Sequence, residues 1–401
     1  MLKKIRFNKK LLAIALLSLG LSACSSTDEE DEATKVAELT EINQTFEADV
    51  LWESSVGNGV SDYFSRIKPN VAYGKLYSAS REGDVVALEL KNGNEIWSTD
   101  LSDIKGDRGF FDSRQSALLN GGPITGIQKI FIGSENGEVF ALDADTGKLD
   151  WQGKVKGEVI AAPAIDAGIL VVNTASGVIK AFNASNGQDE WQIEQEVPAL
   201  TLRGVSSPAI SSGGVMVGSA DGTLSVYILE SGQQGWTIEV GEALGSTQLE
   251  RVIDVDSTPL IFGDKVYSIS VKGRLTAVDL RTGRMLWERQ YSSYHDLSID
   301  GNTIFLTDVK GHVYAVDRQN GFEKWSQLSL TNRGVTGPAV LGNYIIVGDL
   351  EGYLHFIDQA TGDIVSRHEV DSSGLNITPT VHENIIYAQS RNGDLQAIKI
   401  P

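Results

Sequence analysis

The side chains of this chain that could do chemistry are few and widely spaced. Asp254 and Asp256 flank one residue in a segment between two repeats. Alternate residues of an extended segment point the same way, so these carboxylates form a possible cation-ligand pair. Capping of a turn and contact with a partner are the alternative roles. The five histidines show neither metal-ligand spacing nor a local acid partner; they are His295, His312, His355, His368 and His382.

No phosphate-binding glycine loop, nucleophile elbow or paired-carboxylate motif stands out in the rest of the chain. We therefore expect no catalytic residue, no cofactor and no metal site. The function must lie in another class of residue, and the arrangement of the elements decides which residues are exposed.

Cys24 is the only cysteine in the 401 residues, and its surroundings predict a covalent modification. A basic stretch, residues 3–10, precedes the apolar run 11–21, which is too short for a membrane-spanning helix of about 20 residues. This pattern is typical of a secretory signal. The residues Leu-Ser-Ala-Cys at 21–24 resemble the lipobox of bacterial lipoproteins, whose cysteine is lipidated and becomes the first residue of the mature chain when the signal is cleaved. Residues 1–23 are thus a predicted signal peptide.

The predicted mature chain begins with an acidic, serine-containing stretch. Ser25 follows the cysteine, and by resemblance to Gram-negative lipoproteins this favours sorting to the outer membrane. Residues 24–45 are predicted to be a lipidated N-terminus and flexible acidic tether, because they are too polar to bury a core. Removal of five basic residues with the signal changes the formal charge from −19 to −24. This charge makes nucleic acid an improbable partner.

A repeat of glycine and tryptophan dominates residues 46–401. In seven pairs of glycines the two members lie ten residues apart. In six of these pairs a tryptophan follows the second glycine by four residues. The pairs are Gly83/Gly93, Gly137/Gly147, Gly177/Gly187, Gly222/Gly232, Gly273/Gly283, Gly311/Gly321 and Gly352/Gly362. The seventh pair is followed by Ser366 instead, and an eighth copy starts at Gly393. Repeats of about 44 residues are typical of propeller blades.

Each copy contains four short apolar segments separated by turn residues, which predicts four antiparallel strands. In the copy 205–240 the segments are 205–210, 214–219, 223–229 and 235–240. The last copy lacks its tryptophan-bearing strand, while Trp52 lies in an unmatched strand that precedes every pair. We therefore predict an all-β, eight-bladed β-propeller of four-stranded antiparallel blades at 46–401, with the ring closed by the N-terminal strand.

The repeat resembles that of pyrroloquinoline-quinone enzymes, which are also eight-bladed. A quinoprotein dehydrogenase is therefore an alternative function. The adjacent cysteine pair of that family is absent, since Cys24 stands alone, and so is a haem-attachment motif. The regularly placed tryptophans are better explained by packing between blades than by ligand stacking.

The connections between blades are the variable part of the repeat. The long links are 100–122 and 239–257, and a third link contains Leu200, Leu202 and Arg203. Loops that are enlarged on one face of a repeat protein suggest a binding face. Apolar residues beside an arginine have the composition of an interaction hot spot. From the residues alone, packing of the leucines under the rim of a blade is an equal alternative.

Two link segments, 198–204 and 254–259, together with the lipobox and eight repeats, resemble the BamB family over the whole chain. The family comprises propeller lipoproteins of the outer-membrane β-barrel assembly (Bam) machinery. The resemblance implies a non-enzymatic scaffold on the periplasmic face of the outer membrane, which binds the POTRA domains of BamA and assists insertion of outer-membrane proteins. It implies that five residues contact BamA: Leu200, Leu202, Arg203, Asp254 and Asp256. Unfolded client proteins are a further expected partner, and an envelope propeller with another partner is the remaining alternative.

Overall fold

The structure is a computed structural model, and it describes residues 34–104, 115–241, 247 and 251–401. Cys24, the predicted signal peptide and the first part of the predicted tether lie outside the described residues. So do the middle portions of both long links. No helix in the described part of the chain is long and apolar enough to cross a membrane.

The described residues form strands and one short 3-10 helix, Leu101–Asp103. The strands of the first half are β1 (Asp49–Ser55), β2 (Arg66–Ile67), β3 (Asn70–Ala72), β4 (Lys75–Ala79), β5 (Asp84–Glu89), β6 (Glu95–Asp100), β7 (Leu119–Gly126), β8 (Lys129–Ser134), β9 (Glu138–Asp143), β10 (Leu149–Lys154), β11 (Ala164–Asp166), β12 (Ile169–Asn173), β13 (Val178–Asn183), β14 (Asp189–Glu194), β15 (Ala209–Ser211), β16 (Gly214–Gly218), β17 (Thr223–Ile228) and β18 (Gln234–Glu239).

The second half continues the same pattern of one short and three longer strands. Its strands are β19 (Leu260–Phe262), β20 (Lys265–Ile269), β21 (Leu275–Asp279), β22 (Met285–Arg289), β23 (Ser298–Asp300), β24 (Thr303–Thr307), β25 (Val313–Asp317), β26 (Glu323–Gln327), β27 (Ala339–Leu341), β28 (Tyr344–Gly348), β29 (Tyr353–Asp358), β30 (Ile364–Glu369), β31 (Thr380–His382), β32 (Ile385–Gln389) and β33 (Asp394–Lys399).

The strands make eight sheets, which confirms the predicted eight-bladed propeller. Blade 1 is β3–β6, blades 2 to 7 follow in steps of four strands, and blade 8 is β31–β33 with β1. The first strands of successive blades contact one another around the axis. The N-terminal strand closes the ring as predicted, since β1 pairs antiparallel with β33 and Trp52 lies opposite Ala397.

The glycine–tryptophan repeat packs each blade against the next. At the seam between blades 2 and 3, the Trp151 indole covers Gly187, where a Cβ atom would lie 2.7 Å from the ring. The Trp151 Nε1 donates a hydrogen bond of 3.0 Å to the Ala184 carbonyl in the same turn. Six other tryptophans do the same on the following blade; they are Trp52, Trp97, Trp191, Trp236, Trp287 and Trp325.

The seam between blades 7 and 8 is built differently, and this explains Ser366. Blade 8 is completed by two chain ends, so it has no third hairpin turn for a tryptophan to cover. Ser366 instead donates a hydrogen bond of 2.7 Å from Oγ to the carbonyl of Phe46. The Phe46 ring packs 5.0 Å from the Tyr344 ring and 5.4 Å from the Phe356 ring. An aromatic side chain from outside the repeat thus fills this seam.

The compact body begins at Ala37 and therefore includes residues 37–45 of the predicted tether. The Arg333 Nη1 donates a hydrogen bond of 2.8 Å to the Ala37 carbonyl, and the Arg367 Nη1 donates one of 2.5 Å to the Thr40 carbonyl. The Thr45 amide donates to the Val365 carbonyl at 2.9 Å. The composition was misleading because this segment is held through its backbone, which needs few apolar side chains.

Phe46→Ala is expected to lower the free energy of unfolding by about 1–3 kcal/mol, since it removes a half-buried aromatic side chain from a seam that has no tryptophan. Urea unfolding followed by tryptophan fluorescence would measure the loss. The control is Phe322→Ala, because that ring is 62% exposed. Equal losses from the two variants would contradict the role of Phe46.

One added strand narrows the axial channel. β2 pairs parallel with β7 as a fifth strand of blade 2, with Arg66 opposite Gly121. From there the Arg66 side chain crosses the channel, and its Nη2 donates to the Asp256 carbonyl at 2.8 Å. Its Nη1 lies 3.9 Å from the Asp296 carboxylate. The residues before blade 1 therefore tie one side of the ring to the other.

Candidate functional site: the link face

The links between blades and the turns between second and third strands share one face of the ring, which we call the link face. The Val155 amide, in a link, donates to the Gly137 carbonyl, in such a turn, and the same bond joins Gln195 to Gly177. Leu200 and Leu202 lie in the link 195–208 between β14 and β15, and they are 42% and 37% exposed. The alternative was that the leucines pack under the rim of a blade. In this structure both side chains are exposed instead.

Arg203 is held beside the leucines by carboxylates of blade 2 and the following link. Its Nη2 lies 2.8 Å from Glu135 Oε2 and 3.4 Å from Glu158 Oε2. Glu135 also receives two 3.0 Å hydrogen bonds from Arg81 and one of 3.1 Å from Asn120. Burial alone would raise the Glu135 pKa, but the hydrogen bonds from Arg81, Asn120 and Arg203 outweigh it and lower that pKa.

Glu135 is the residue of this site that sequence reasoning missed. It lies in an ordinary turn of blade 2, between β8 and β9, and its partners are 15, 54 and 68 residues away. No local motif connects these positions. Only the packing of successive blades brings residues of the first and second blades and of the link after the third blade together at this carboxylate.

Asp254 and Asp256 lie beneath the leucine link, not at the surface. Asp254 is fully buried, and its Oδ2 accepts a hydrogen bond of 2.7 Å from the Leu202 amide. Its Oδ1 has no hydrogen-bond partner among the described residues. The Asp256 carboxylate packs on the Cα of Gly204, where any Cβ atom would overlap it. In this conformation the two aspartates are buried and support the backbone of the link from below.

The burial of this carboxyl pair changes its acidity. Burial, reinforced by the charge of Asp256, raises the pKa of Asp254 to about 7. Burial raises the pKa of Asp256 to about 6, although Arg66 opposes the shift. Since these values exceed the ordinary 3.8, the pair stabilises the fold most at acidic pH. That contribution is lost as pH rises through about 6 to 7.

Asp254→Asn is therefore expected to raise the midpoint of thermal unfolding at pH 8 and to raise it by a smaller amount at pH 5, because part of the cost is already present above the ordinary pKa of 3.8. The amide can still accept from Leu202, and it removes a buried charge whose cost is at most about 4 kcal/mol. Thermal scans at the two pH values would measure this, with the exposed Asp363→Asn as the control. A lower midpoint at pH 8 would contradict the assignment.

Two histidines have acid partners, which corrects the expectation that none do. The His312 Nδ1 lies 3.0 Å from Asp308 Oδ2, and the buried His355 Nε2 lies 2.9 Å from Asp349 Oδ2. Each pair spans a turn, so the partner stands four or six residues before the histidine. Arg333 also binds Asp349, at 2.8 Å. In the described part of the chain no three acidic, histidine or cysteine side chains are grouped to hold a metal ion.

A cavity of about 400 Å³ lies beside the first strands and is lined in part by Arg66. Four prolines in or directly before first strands also line it, together with Lys68, Tyr294, His295 and Asp296. Burial, and to a smaller extent the charge of Arg66, lower the pKa of His295 to about 4, so this imidazole is neutral near pH 7. Arg66 and Asp296 partly neutralise one another here.

Comparison with known proteins places the chain in a family. The model of the family described as "Outer membrane protein assembly factor BamB" matches residues 81–327 and 323–400. Proteins with that name are similar over almost their full length. The one from Shewanella oneidensis is 42% identical, covering 98% of this chain and 99% of the relative. The one from Escherichia coli K12 is 35% identical, covering 97% and 99%.

Solved structures agree with the sequence comparison. The crystal structure of BamB from Moraxella catarrhalis is 28% identical, with a TM-score of 0.77, covering 88% of this chain and all of that one. A quinohemoprotein alcohol dehydrogenase from Comamonas testosteroni has a TM-score of 0.68 at 15% identity, covering 91% and 78%. At that identity the similarity concerns the fold alone. The chain belongs to the BamB family of outer membrane protein assembly factors.

Proposed function

We propose that this protein is a non-enzymatic scaffold of the Bam complex, anchored to the periplasmic face of the outer membrane, which binds the POTRA domains of BamA. The observation that carries the proposal is the link 195–208. It presents two exposed leucines and an arginine on a backbone held by buried carboxylates. Membership of the BamB family supports the choice of partner, since its members are named as outer membrane protein assembly factors.

The link suits protein binding because its conformation is already set. The Leu202 amide is bonded to Asp254, and Arg203 is paired with Glu135 and Glu158. Ordering a loop on binding costs free energy, and a pre-ordered loop avoids much of that cost. Apolar side chains at the centre with a charged rim are the usual composition of a hot spot. Asp254 and Asp256 act in this proposal as positioning residues.

The membrane anchor is proposed to be lipid on Cys24, after cleavage of residues 1–23. The anchor is proposed to be joined to the compact body, which begins at Ala37, by the residues that follow Cys24. Mass spectrometry of the mature N-terminal peptide would test the lipid.

Unfolded outer-membrane proteins are a second proposed partner. The outer strands of the blades have unpaired backbone groups along one edge, and such edges accept an added strand. In blade 7 the chain's own residues 40–46 already occupy part of that edge, through the Thr45 and Ser366 hydrogen bonds.

The absence of enzymatic activity is part of the proposal. The quinoprotein alternative rests on the fold alone, and the cysteine pair of that family has no counterpart in a chain with one cysteine. Incubation with pyrroloquinoline quinone and calcium, followed by a dye-linked alcohol oxidation assay, is expected to give no activity above background. Cofactor-dependent turnover would overturn this part.

The decisive experiment is an unbiased pull-down of the tagged full-length chain from solubilised envelope membranes. BamA and other Bam subunits are expected among the specifically enriched proteins. A chain with Cys24→Ala serves as a control for localisation, since it should bind purified BamA but fail to enrich with membranes. Recovery of no assembly-machinery subunit would favour an envelope propeller with another partner.

A further inference from the structure

A second exposed group of side chains lies on the link face, in a different link from the leucines. Tyr63 and Phe64 belong to the connection 56–69 between blades 8 and 1, and they are 52% and 37% exposed. Tyr63 points its ring at the guanidinium of Arg81, whose Cζ lies 3.8 Å from the ring centroid. An exposed aromatic pair is common at protein interfaces and costs little entropy to hold in place.

The two links are joined through Glu135. Arg81, which stacks on Tyr63, binds both Glu135 oxygens at 3.0 Å. Arg203, beside the leucines, binds the same carboxylate at 2.8 Å. A continuous chain of three contacts thus runs from Tyr63 to Arg203, although 140 residues separate them in the sequence.

The backbone of the aromatic link is also fixed. The buried Asn120 Nδ2 donates to the Phe64 carbonyl at 3.0 Å, and its Oδ1 accepts from the Arg66 amide at 3.1 Å. The same Nδ2 donates to Glu135 at 3.1 Å. Asn120 and Glu135 therefore hold both links in a single arrangement. Their polar groups are satisfied by hydrogen bonds to the two links.

The charges around this surface indicate what it would accept. Within this surface the charges are paired: Arg81 and Arg203 with Glu135 and Glu158, and Asp62 at the rim with Arg391. The paired carboxylates at the rim are exposed, Asp62 to 99% and Glu158 to 41%, and the chain as a whole has a formal charge of −19. The complementary surface has apolar side chains at its centre and lysine or arginine at its edge.

We propose that Tyr63 and Phe64 form the second half of the partner surface, continuous through Arg81 and Glu135 with Leu200, Leu202 and Arg203. The occupant is a POTRA domain with an apolar centre and a basic rim, so this inference rests on the proposed function. Glu135 is a positioning residue that couples the two halves. The partner contact thus spans the links before blades 1 and 4.

The test measures binding of the purified POTRA region of BamA to the full chain by calorimetry. Tyr63→Ala is expected to weaken binding at least tenfold. The matched control is Tyr73→Ala, a 42% exposed tyrosine in the turn between β3 and β4, on the opposite face. It should change binding less than twofold. Unfolding midpoints of both variants establish that each one folds.

A second measurement does not depend on affinity. A photo-crosslinking residue is placed at position 63 and, in a parallel sample, at position 73. Crosslinks to the POTRA region are expected from position 63 alone. One contrary outcome is that Leu200→Ala abolishes binding while Tyr63→Ala binds normally and position 63 gives no crosslink. In that case the second half of the surface is wrong and the proposed function stands. If the unmodified chain does not bind the POTRA region, both are overturned.

Discussion

Leu200→Ala combined with Arg203→Glu is expected to lower affinity for the POTRA region of BamA at least about 100-fold. Truncating a central apolar side chain at an interface commonly costs more than 1 kcal/mol. Reversing the charge of Arg203 removes the counter-ion of Glu135 and Glu158 and repels the partner groups that would meet an arginine. Together these effects reach or exceed the 2.7 kcal/mol or so that a 100-fold change requires.

Calorimetric titration of purified proteins would measure this loss. The matched control is Leu328→Ala with Arg281→Glu, because Leu328 is 51% exposed and lies in the link between blades 6 and 7. That variant makes the same chemical changes away from the proposed surface and should bind normally. Arg203→Met removes the positive charge without adding a negative one, so comparing its affinity with that of Arg203→Glu separates the two effects. Undiminished binding by the double variant would remove the link 195–208 from the partner surface.

Gly187→Ala is expected to destabilise the ring by about 2–5 kcal/mol. Gly187 has a φ of +73°, which costs an L residue roughly 1–2 kcal/mol. Its added Cβ would also lie 2.7 Å from the Trp151 ring, and overpacking of a filled site costs typically 1–3 kcal/mol. Trp151 is only 8% exposed and bonds to the same turn, so its ring has little room to move.

Gly213→Ala is the control for this effect. Gly213 has a nearly identical φ of +74°, but a Cβ there meets nothing within 4 Å. Urea unfolding should therefore show a loss of about 1–2 kcal/mol for Gly213→Ala and a clearly larger one for Gly187→Ala. If the two losses match, the glycine requirement comes from backbone conformation alone and the tryptophan contact contributes nothing.

The repeat allowed most of the fold to be predicted because its signals are local. A turn glycine, the strand after it and the tryptophan four residues later lie within one blade, and each blade repeats the pattern. Boundaries were less secure. The first strand of the copy at 205–240 begins at Ala209 rather than Val205, because 205–208 packs on its neighbours without pairing in a ladder. The docked segment from Ala37 was missed because backbone hydrogen bonds leave no mark on composition.

The candidate site was only partly predictable, for a different reason. Leu200, Leu202 and Arg203 stand out because they interrupt a regular pattern with apolar residues in a link. Tyr63, Arg81 and Glu135 carry no such mark, since each is unremarkable in its own turn or link. Burial could not be predicted either: Asp254 and Asp256 have the composition of a surface motif, yet both are buried beneath the leucine link.

The sequence by itself determined the eight blades and the link that presents the leucines, because each depends on spacing within about 50 residues. It also determined the closure by the strand of Trp52, because the last copy lacks a tryptophan-bearing strand and the N-terminal segment has an unmatched one. Only the tertiary structure decided which side chains of that link face solvent and which carboxylates support it. Only the packing of successive blades brings Tyr63, Arg81, Glu135 and Arg203 into contact. These arrangements depend on side chains from separate blades, and their spacing in the chain contains no information about the distance between them.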